Sequence, residues 1–434
     1  MTRCVPLSLH GDGVPISGQG RTYARNVYCF TLSSCIGQGQ TVDANFLIWL
    51  CYKQFEYKSK FRGTIQMFFD ELKWSLFWLW LGKWPTHDSS GKKLHYKNAG
   101  HWLADGWYAV LWLFKGDLEW FQNQLGFGSF SGHTPCMLCK GNTSTIPWTH
   151  CVKATAMWLH HMWQPVEWVE HLTGYVCALL TLPGVTVYNL SPDHMHNKHG
   201  GSDRYFYGSV LFMLTHTVLG HDMLLGTAEE NMDTVWTKIK DAYQALNTPD
   251  RFANIRLSMF KKNGKFAELK GRTAEVRHVG KPLLMVWNDL FDPTIREHRW
   301  IRKALQASVA IEEILEAHRG EFVLDTRSAH SYVQNMFQLM SLVTQLGHVY
   351  HPHEVLIFHY TIKSHYLLHS ALMAHYLNPC LGWNYSGEDY MQKAKVLLQS
   401  CQKGNNPNSA LAKAMTKYCY GLAFRMMKRE HIWK

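Results

Sequence analysis

Three carboxylates combine positions and chemistry that could support a divalent-metal site. Asp12 closes a short strand-like run, Asp117 follows a nearly continuous apolar run, and Glu388 opens a helical pattern near the carboxyl end. Two-metal phosphoryl chemistry needs several carboxylates around two ions about 4 Å apart, which activate the attacking oxygen and stabilise the leaving one. The three acids are therefore candidate catalytic residues and candidate ligands of Mg²⁺ or Mn²⁺.

Each acid also has an ordinary structural interpretation. Asp12 suits a Gly-Asp-Gly turn, Asp117 suits a helix N-cap, and Glu388 is a first-turn acid that the helix dipole favours. Taken together in the order strand, strand, helix, the three acids make an active site an interpretation that competes with these separate structural roles. Gln392 and Lys395 would share the helix face of Glu388, where they could contact a DNA phosphate; a solvated surface lysine is the alternative for Lys395.

A close cysteine pair, Cys136-x-x-Cys139, has the spacing of a zinc knuckle. Two thiolates on one turn can bind one zinc ion, and a buried pair without metal is the alternative. Two more ligands are needed. His196 is the best candidate, with His194, Asp193 and His150 behind it; the predicted set is Cys136, Cys139, His196 and Asp193, with the fourth ligand left open. The sequence thus predicts a structural zinc site.

Two further groups of residues leave alternatives open. His365 and His369 share a helix face and could bind metal, but the apolar residues between them favour a packed, hydrogen-bonded role. A basic, glycine-broken loop could contact DNA phosphates, or could simply be a solvated face; its candidate contacts are Lys261, Lys262, Lys265 and Arg272.

Composition and charge narrow the class of protein. The 434 residues carry a formal charge of +11 and a pI near 9.0, which favours a polyanionic partner such as DNA. Eleven cysteines with only one close pair make a disulfide framework improbable and indicate a reducing compartment. The most apolar stretch, 74–81, is too short to cross a bilayer, so no membrane partner is expected.

The apolar patterns predict strands first and helices later. Strands are expected at 6–12, 26–34 and 107–115, the last buried on both faces, and a helix is expected at 61–81. From about residue 204 the spacing turns helical, with predicted helices at 229–246, 294–318, 328–346, 356–377, 387–400 and 410–427.

Several short motifs follow one another along the chain between about residues 8 and 400. They are Asp12-Gly-Val-Pro15, Asp117 followed by Cys136 and Cys139, Asp193-His-Met-His196, the segment 269–278, the helix His365-Tyr-Leu-Leu-His369, and Glu388-Asp-Tyr-Met391. This series resembles the transposases of CACTA-type (En/Spm-type) DNA elements. The chain departs from that pattern at Asp389, where the family has Arg, and in a lysine shifted by one residue after His196.

The resemblance implies a DDE active site at Asp12, Asp117 and Glu388, using Mg²⁺ or Mn²⁺ to hydrolyse and transfer DNA strands. It also implies DNA as the partner, DNA recombination of a transposable element as the process, the nucleus as the location, and a homodimer as a plausible assembly.

The expected fold is an α/β, ribonuclease-H-like core with a large all-helical insertion and a zinc knuckle. We predict a core at 1–200 with the knuckle at 136–196, a helical insertion at 201–355, and C-terminal helices at 356–434 that complete the core.

Two other functions fit the same residues. The first is a catalytically inactive, transposase-derived protein that binds DNA or acts as a scaffold, for which the three acids would be dispensable. The second is a zinc-dependent hydrolase with its metal at Cys136, Cys139 and His196, although a Cys-x-x-Cys knuckle more often builds a closed structural site.

Overall fold

The computed structural model describes residues 3–17, 24–37, 39–59, 62–164, 167–168 and 177–432. The chain divides into two compact units. The first comprises Met1–Ser129, Trp163–Pro192 and Asn384–Lys434, and the second comprises Phe130–Met162 and Asp193–Trp383. The Cys-x-x-Cys segment belongs to the second unit, whereas the predicted division assigned it to the first domain.

A five-stranded mixed sheet organises the first unit. Its strands are β1 (Cys4–Ser17), β2 (Ala24–Ser34), β3 (Asn45–Tyr52), β4 (Tyr108–Gly116) and β5 (Leu190–Pro192), in the order β3-β2-β1-β4-β5. β2 pairs antiparallel with both β1 and β3, while β4 pairs parallel with β1 and β5. Among the described strands, β2 alone therefore runs against the other four. The protein is a mixed α/β protein, as predicted.

The three predicted strands are confirmed, but the turn expected at Asp12 is wrong. β1 passes through Asp12 and stays paired with β2 as far as Ser17. Pro15 is tolerated because the pairing with β4 ends at His10, so β1 is an edge strand beyond that point. The buried side chains of Val14 and Ile16 hold this extension against the helices below.

Helices cover both faces of the sheet in the first unit. On one face, α2 (Thr64–Leu81) packs Phe68 and Phe69 against Phe30 of β2, after the short helix α1 (Thr41–Ala44). α3 (Leu118–Asn123) follows β4 directly. On the other face, two helices near the carboxyl end pack apolar side chains against β1, β2 and β3. A short turn joins these two helices.

The second unit is helical in the residues described, as the three-to-four spacing predicted. A π-helix, Met195–Ser202, leads directly into the first of its α-helices. These are α4 (Asp203–Thr215), α5 (Ala228–Ala245), α6 (Thr273–Leu290), α7 (Arg296–Ala317), α8 (Thr326–Tyr350) and α9 (Ile362–Met373). The two carboxyl-end helices of the first unit are α10 (Tyr385–Gln402) and α11 (Pro407–Ile432).

None of the helices within the described ranges combines the length and the apolar character needed to cross a membrane.

Candidate functional site

The strand register brings two of the three predicted acids to one edge of the sheet. The parallel pairing of β1 with β4 ends at His10 opposite Lys115, so Asp12 and Asp117 both lie two residues beyond the last pair. They line a common cavity of about 120 Å³, together with Gly13, Asn26, Tyr28, Lys53, Glu119, Trp120, Asn123 and Gln124. Three of the ten lining residues carry carboxylates, Asp12, Asp117 and Glu119, and carboxylate oxygens are ligands that a hard divalent cation prefers.

Both acids also have local structural roles. The Asp12 carboxylate accepts a hydrogen bond of 2.6 Å from the backbone N–H of Gly13. Asp117 is the N-cap of α3, and its carboxylate accepts a hydrogen bond of 2.7 Å from the backbone N–H of Trp120. The N-cap interpretation of Asp117 is thus confirmed. A capping role does not exclude metal binding, because a carboxylate offers two oxygens.

The indole ring of Trp120 explains why the residues before Asp12 and Asp117, Gly11 and Gly116, are glycines. A Cβ at either Gly11 or Gly116 would collide with that ring. The two glycines therefore allow a large aromatic side chain to lie across β1 and β4 beside the acids. The indole Nε1 has no hydrogen-bond partner among the described residues.

Glu388 lies in the first turn of α10, whose apolar side packs on the sheet. Gly387 approaches His10 so closely that a Cβ there would stand 2.7 Å from the imidazole Cε1. The helix that carries Glu388 therefore starts beside His10 of β1, which precedes Asp12 by two residues. The neighbouring Asp389 forms an ion pair with Lys393, and this hydrogen bond is the main cause that lowers the pKa of the Asp389 carboxyl.

Within the described residues, two groups of three or more ligand side chains come within 4.8 Å of one another, and neither contains Asp12, Asp117 or Glu388. The three acids thus share a region of the first unit without forming a compact three-carboxylate cage. Divalent-metal binding by these acids consequently remains a prediction.

The predicted knuckle does form part of a four-ligand cluster. The thiols of Cys136 and Cys139 meet the imidazoles of His365 and His369, with all four ligand atoms within 4.8 Å and all four residues buried. Cys136 Sγ lies 3.3 Å from His369 Nε2, Cys139 Sγ lies 3.4 Å from His365 Nε2, and the two Nε2 atoms lie 3.0 Å apart. This buried cluster could bind a metal ion such as zinc.

Helix α9 positions both histidines because His365 and His369 are four residues apart and share one face. Tyr366, on the same helix, accepts a hydrogen bond of 3.0 Å from the backbone N–H of Met137 and donates one of 3.1 Å to the carbonyl of Pro135. The Trp158 ring lies 4.7 Å from both imidazoles, measured between ring centroids. The knuckle is thus held on α9 by contacts outside the four ligands.

The electrostatics of the cluster favour a thiolate. Burial opposes ionisation of Cys136, but the hydrogen bond with Cys139 and the nearby His369 and His365 imidazoles bring its pKa well below the usual thiol value. Burial, together with the neighbouring Cys136 sulfur, raises the pKa of Cys139. Burial is also the main cause that lowers the pKa of His369, the direction that favours the neutral imidazole of a metal ligand.

The choice of His196 and Asp193 as the remaining zinc ligands is wrong. In the structure, the Asp193 carboxylate pairs with the His196 imidazole three residues later, at the start of the π-helix, and neither belongs to the cysteine cluster. His365 and His369 were expected to have a packed, hydrogen-bonded role, but they also complete the buried four-residue group with the two cysteines. Their His-x-x-x-His spacing was the available signal.

A second group with ligand-like geometry comprises His194, His199 and Glu312. The fully buried Lys198 ammonium lies 3.0 Å from the Glu312 carboxylate and 2.8 Å from that of Asp203. Burial works against the Lys198 charge, yet Asp203 and Glu312 hold its pKa well above the usual lysine value. Because the carboxylates are already paired with a buried cation, a divalent ion would add uncompensated charge. We interpret this group as an ion-pair network.

The residues predicted to contact DNA are mostly exposed. Gln392 is exposed and Lys395 half-buried on α10. Lys262 and Lys265 are exposed in the basic loop, and Lys261 lies 2.9 Å from the His216 imidazole. Arg272 has a structural partner, because it forms a capping box and a 2.9 Å ion pair with Glu275 at the start of α6. DNA contact by these six residues remains a prediction.

Comparison with known proteins adds no family assignment: no protein-family model matches this sequence, and no curated protein matches it significantly. The function must therefore be inferred from the residues and their geometry. Sequence reasoning considered His365 and His369 as metal ligands but favoured a packed role, and it did not identify Glu119, Asn26 and Lys53 around the acids.

Proposed function

We propose that the first unit is a ribonuclease-H-like catalytic core and that the protein is a DDE transposase-like, metal-dependent polynucleotidyl transferase. The observation that carries this proposal is the parallel register of β1 and β4, which presents Asp12 and Asp117 in one oxygen-lined cavity. DNA as substrate, the nucleus as location and a homodimer as assembly belong to the same proposal, and the net charge of +11 supports the first of these.

The sheet supports the ribonuclease-H-like assignment. Such a core has five strands in the order 3-2-1-4-5 with the second strand alone antiparallel, and that order and direction match the sheet of this protein. A helix that packs against the first strand, as α10 does through Gly387, supports Glu388 as the third acid.

The side chains of the cavity have the chemistry that Mg²⁺ or Mn²⁺ would need. Asp12 and Asp117 would hold the ions from neighbouring strands, and Glu388 would complete the set from α10. When bound, the ions would activate water, and then a DNA 3′-hydroxyl, for attack on a phosphodiester. Asp12 and Asp117 are oriented by their backbone hydrogen bonds, and Trp120 covers the strand ends beside them.

We also propose that Cys136, Cys139, His365 and His369 bind one structural Zn²⁺. Four buried protein ligands leave no position for substrate, which is the arrangement of a closed structural site. This favours the structural interpretation over a zinc-dependent hydrolase, in which one coordination position would be open.

The test is a Mn²⁺-titrated DNA nicking and strand-transfer assay at equal zinc content. Asp117→Asn keeps the helix cap and removes the charge, so we expect activity in the wild type and none in this variant. Asp70→Asn, an exposed acid on α2, is the matched control and should behave as wild type.

The alternative is an inactive, transposase-derived DNA-binding or scaffold protein. The basic charge and the four-ligand cluster fit it equally well. It predicts no nicking by any form of the protein, with DNA binding unchanged in Asp12→Asn, Asp117→Asn and Glu388→Gln. That combination of results would replace the catalytic proposal.

A further inference from the structure

A second polar cavity adjoins the carboxylate cavity in the first unit. It has a volume of about 380 Å³ and is lined by Tyr28, Lys53, Glu56, Lys58, Ser59, Gln66 and Asn123. Tyr28, Lys53 and Asn123 line both cavities. The two cavities therefore adjoin one another, and we refer to the second cavity, beside Asp12 and Asp117, as the groove.

The charge of the second cavity suits an anion. Lys53 and Lys58 are both exposed, and neither forms an ion pair with another residue in the described parts of the chain. Glu56 is held by the Tyr28 hydroxyl, which donates a hydrogen bond of 3.2 Å to its carboxylate. Two lysines against one glutamate leave a net charge of +1 in the lining. Gln66 and Asn123 add amide N–H donors.

Lys53 is also positioned by an aromatic ring. Its ammonium lies 5.9 Å from the centroid of the Tyr28 ring, and Tyr28 is itself buried in the sheet. Since Tyr28 lines both cavities, this contact keeps the Lys53 cation at the boundary between them. A phosphate bound at Lys53 would be the neighbour of the phosphodiester that is proposed to react at Asp12 and Asp117.

Exposed aromatic side chains occur on the same short segment, which reads Lys53-Gln-Phe-Glu-Tyr-Lys58. The residue Phe55 is 46% exposed and Tyr57 is 68% exposed. The two lysines flank the two aromatic residues. Exposed aromatic rings close to cations suit an unpaired strand, because bases stack on the rings while the cations bind the phosphates.

We propose that this groove, lined by Lys53, Lys58, Gln66 and Asn123, binds an unpaired nucleic-acid strand beside the phosphodiester at Asp12 and Asp117, and that the exposed ring of Tyr57, next to Lys58 in the chain, stacks on a base of that strand. The inference rests on the proposed function, because it assigns to the groove the strand next to the reacting phosphate. Its ligand is a single strand with its phosphates, and a free phosphate or a duplex is an alternative that the test excludes.

The first experiment measures binding of a labelled single-stranded oligonucleotide by fluorescence anisotropy, with zinc-loaded protein and no other divalent ion. Lys53→Ala/Lys58→Ala should weaken binding at least tenfold and reduce the slope of log K against log salt by about 1.4, about 0.7 for each lost phosphate contact. Lys92→Ala/Lys93→Ala removes two exposed lysines elsewhere in the same unit and should leave both quantities unchanged. Equal losses in the two double variants would overturn the proposal.

Two further arms identify the ligand. Tyr57→Ala should weaken single-strand binding at least about fivefold, while Tyr57→Phe, which keeps the ring, should bind as wild type. Duplex binding with the same dependence on Tyr57 would overturn the choice of an unpaired strand. Displacement of the oligonucleotide by millimolar inorganic phosphate would indicate a free-anion site instead.

The binding assay separates this inference from the catalytic proposal. It is carried out without Mg²⁺ or Mn²⁺, so it does not depend on divalent-ion chemistry at Asp12 and Asp117. If nicking is absent but binding still depends on Lys53 and Lys58, the catalytic proposal fails and the strand-binding groove stands. If nicking is present but binding does not depend on the two lysines, the groove assignment fails alone.

Discussion

Removing one histidine of the four-ligand cluster should eliminate a bound zinc ion and the stability that it supplies. Tetrahedral zinc, with Zn–N of about 2.0 Å and Zn–S of about 2.3 Å, separates its ligand atoms by about 3.3 to 3.8 Å. The described separations of 3.0 Å between the His365 and His369 nitrogens, and of 3.3 Å and 3.4 Å from nitrogen to sulfur, are close to this range. Small shifts of the side chains would admit the ion.

The magnitude follows from mass action. A ligand that binds only the folded state at a free concentration a thousand times its Kd stabilises that state by about 4 kcal/mol. We therefore expect His369→Ala to lose the metal and about this much unfolding free energy, together with the packing that the imidazole provides against Trp158. His375→Ala, an exposed histidine just beyond α9, is the matched control and should keep the metal.

The assay combines elemental analysis of purified protein with urea unfolding followed by circular dichroism, with and without a zinc chelator. Wild type and His375→Ala should each contain one zinc ion per chain, and the chelator should lower their unfolding midpoints. The His194, His199 and Glu312 group should not contribute a second ion, because Lys198 already pairs with Glu312. Wild-type protein that folds with full stability and takes up no zinc would refute the reasoning.

Three further predictions concern single side chains and can be checked by urea unfolding. Asp117→Ala should cost about 1 kcal/mol through loss of the N-cap, whereas Asp117→Asn should cost a few tenths; equal losses would contradict a capping role. Gly387→Ala should cost about 1 to 3 kcal/mol because its Cβ would lie 2.7 Å from His10, while Gly421→Ala, with nothing within 4 Å, should be neutral or stabilising. Burial lowers the pKa of His194 well below 6.5, so the unfolded state binds more protons, and stability present above pH 6.5 should fall as the pH drops below it. His194→Phe should flatten that decline by up to about 1.4 kcal/mol per pH unit, and an unchanged slope would exclude His194 as its source.

The strand positions were predictable because local patterns determine them. The nearly continuous apolar run before Asp117 is typical of a buried strand, and β4 is indeed buried over most of its second half, although Trp112 is 39% exposed. The extent of β1 was not predictable, since Gly13 and Pro15 usually indicate a turn. Pro15 fits a strand here only because β4 has already ended, and the position of that end is a tertiary fact.

The four residues of the Cys/His cluster could be predicted only in part from the sequence. Cys136 and Cys139 are three residues apart, so their spacing alone indicated a shared ligand site. His365 and His369 come from a helix more than 200 residues later, and nothing local selects them among 26 histidines. Their spacing of four residues was compatible with metal binding, but equally with a packed helix face. In the structure both histidines contact the two cysteines of the knuckle, which favours metal binding.

Mn²⁺ titration followed by electron paramagnetic resonance measures whether Asp12 and Asp117 hold divalent ions, as we propose. Zinc-loaded wild type and Asp70→Asn should bind Mn²⁺, and Asp12→Asn/Asp117→Asn should not, with zinc content equal in all three. Loss of binding in the double variant alone is the predicted result. Equal Mn²⁺ binding by the double variant and the wild type, or no binding by either, would contradict the account.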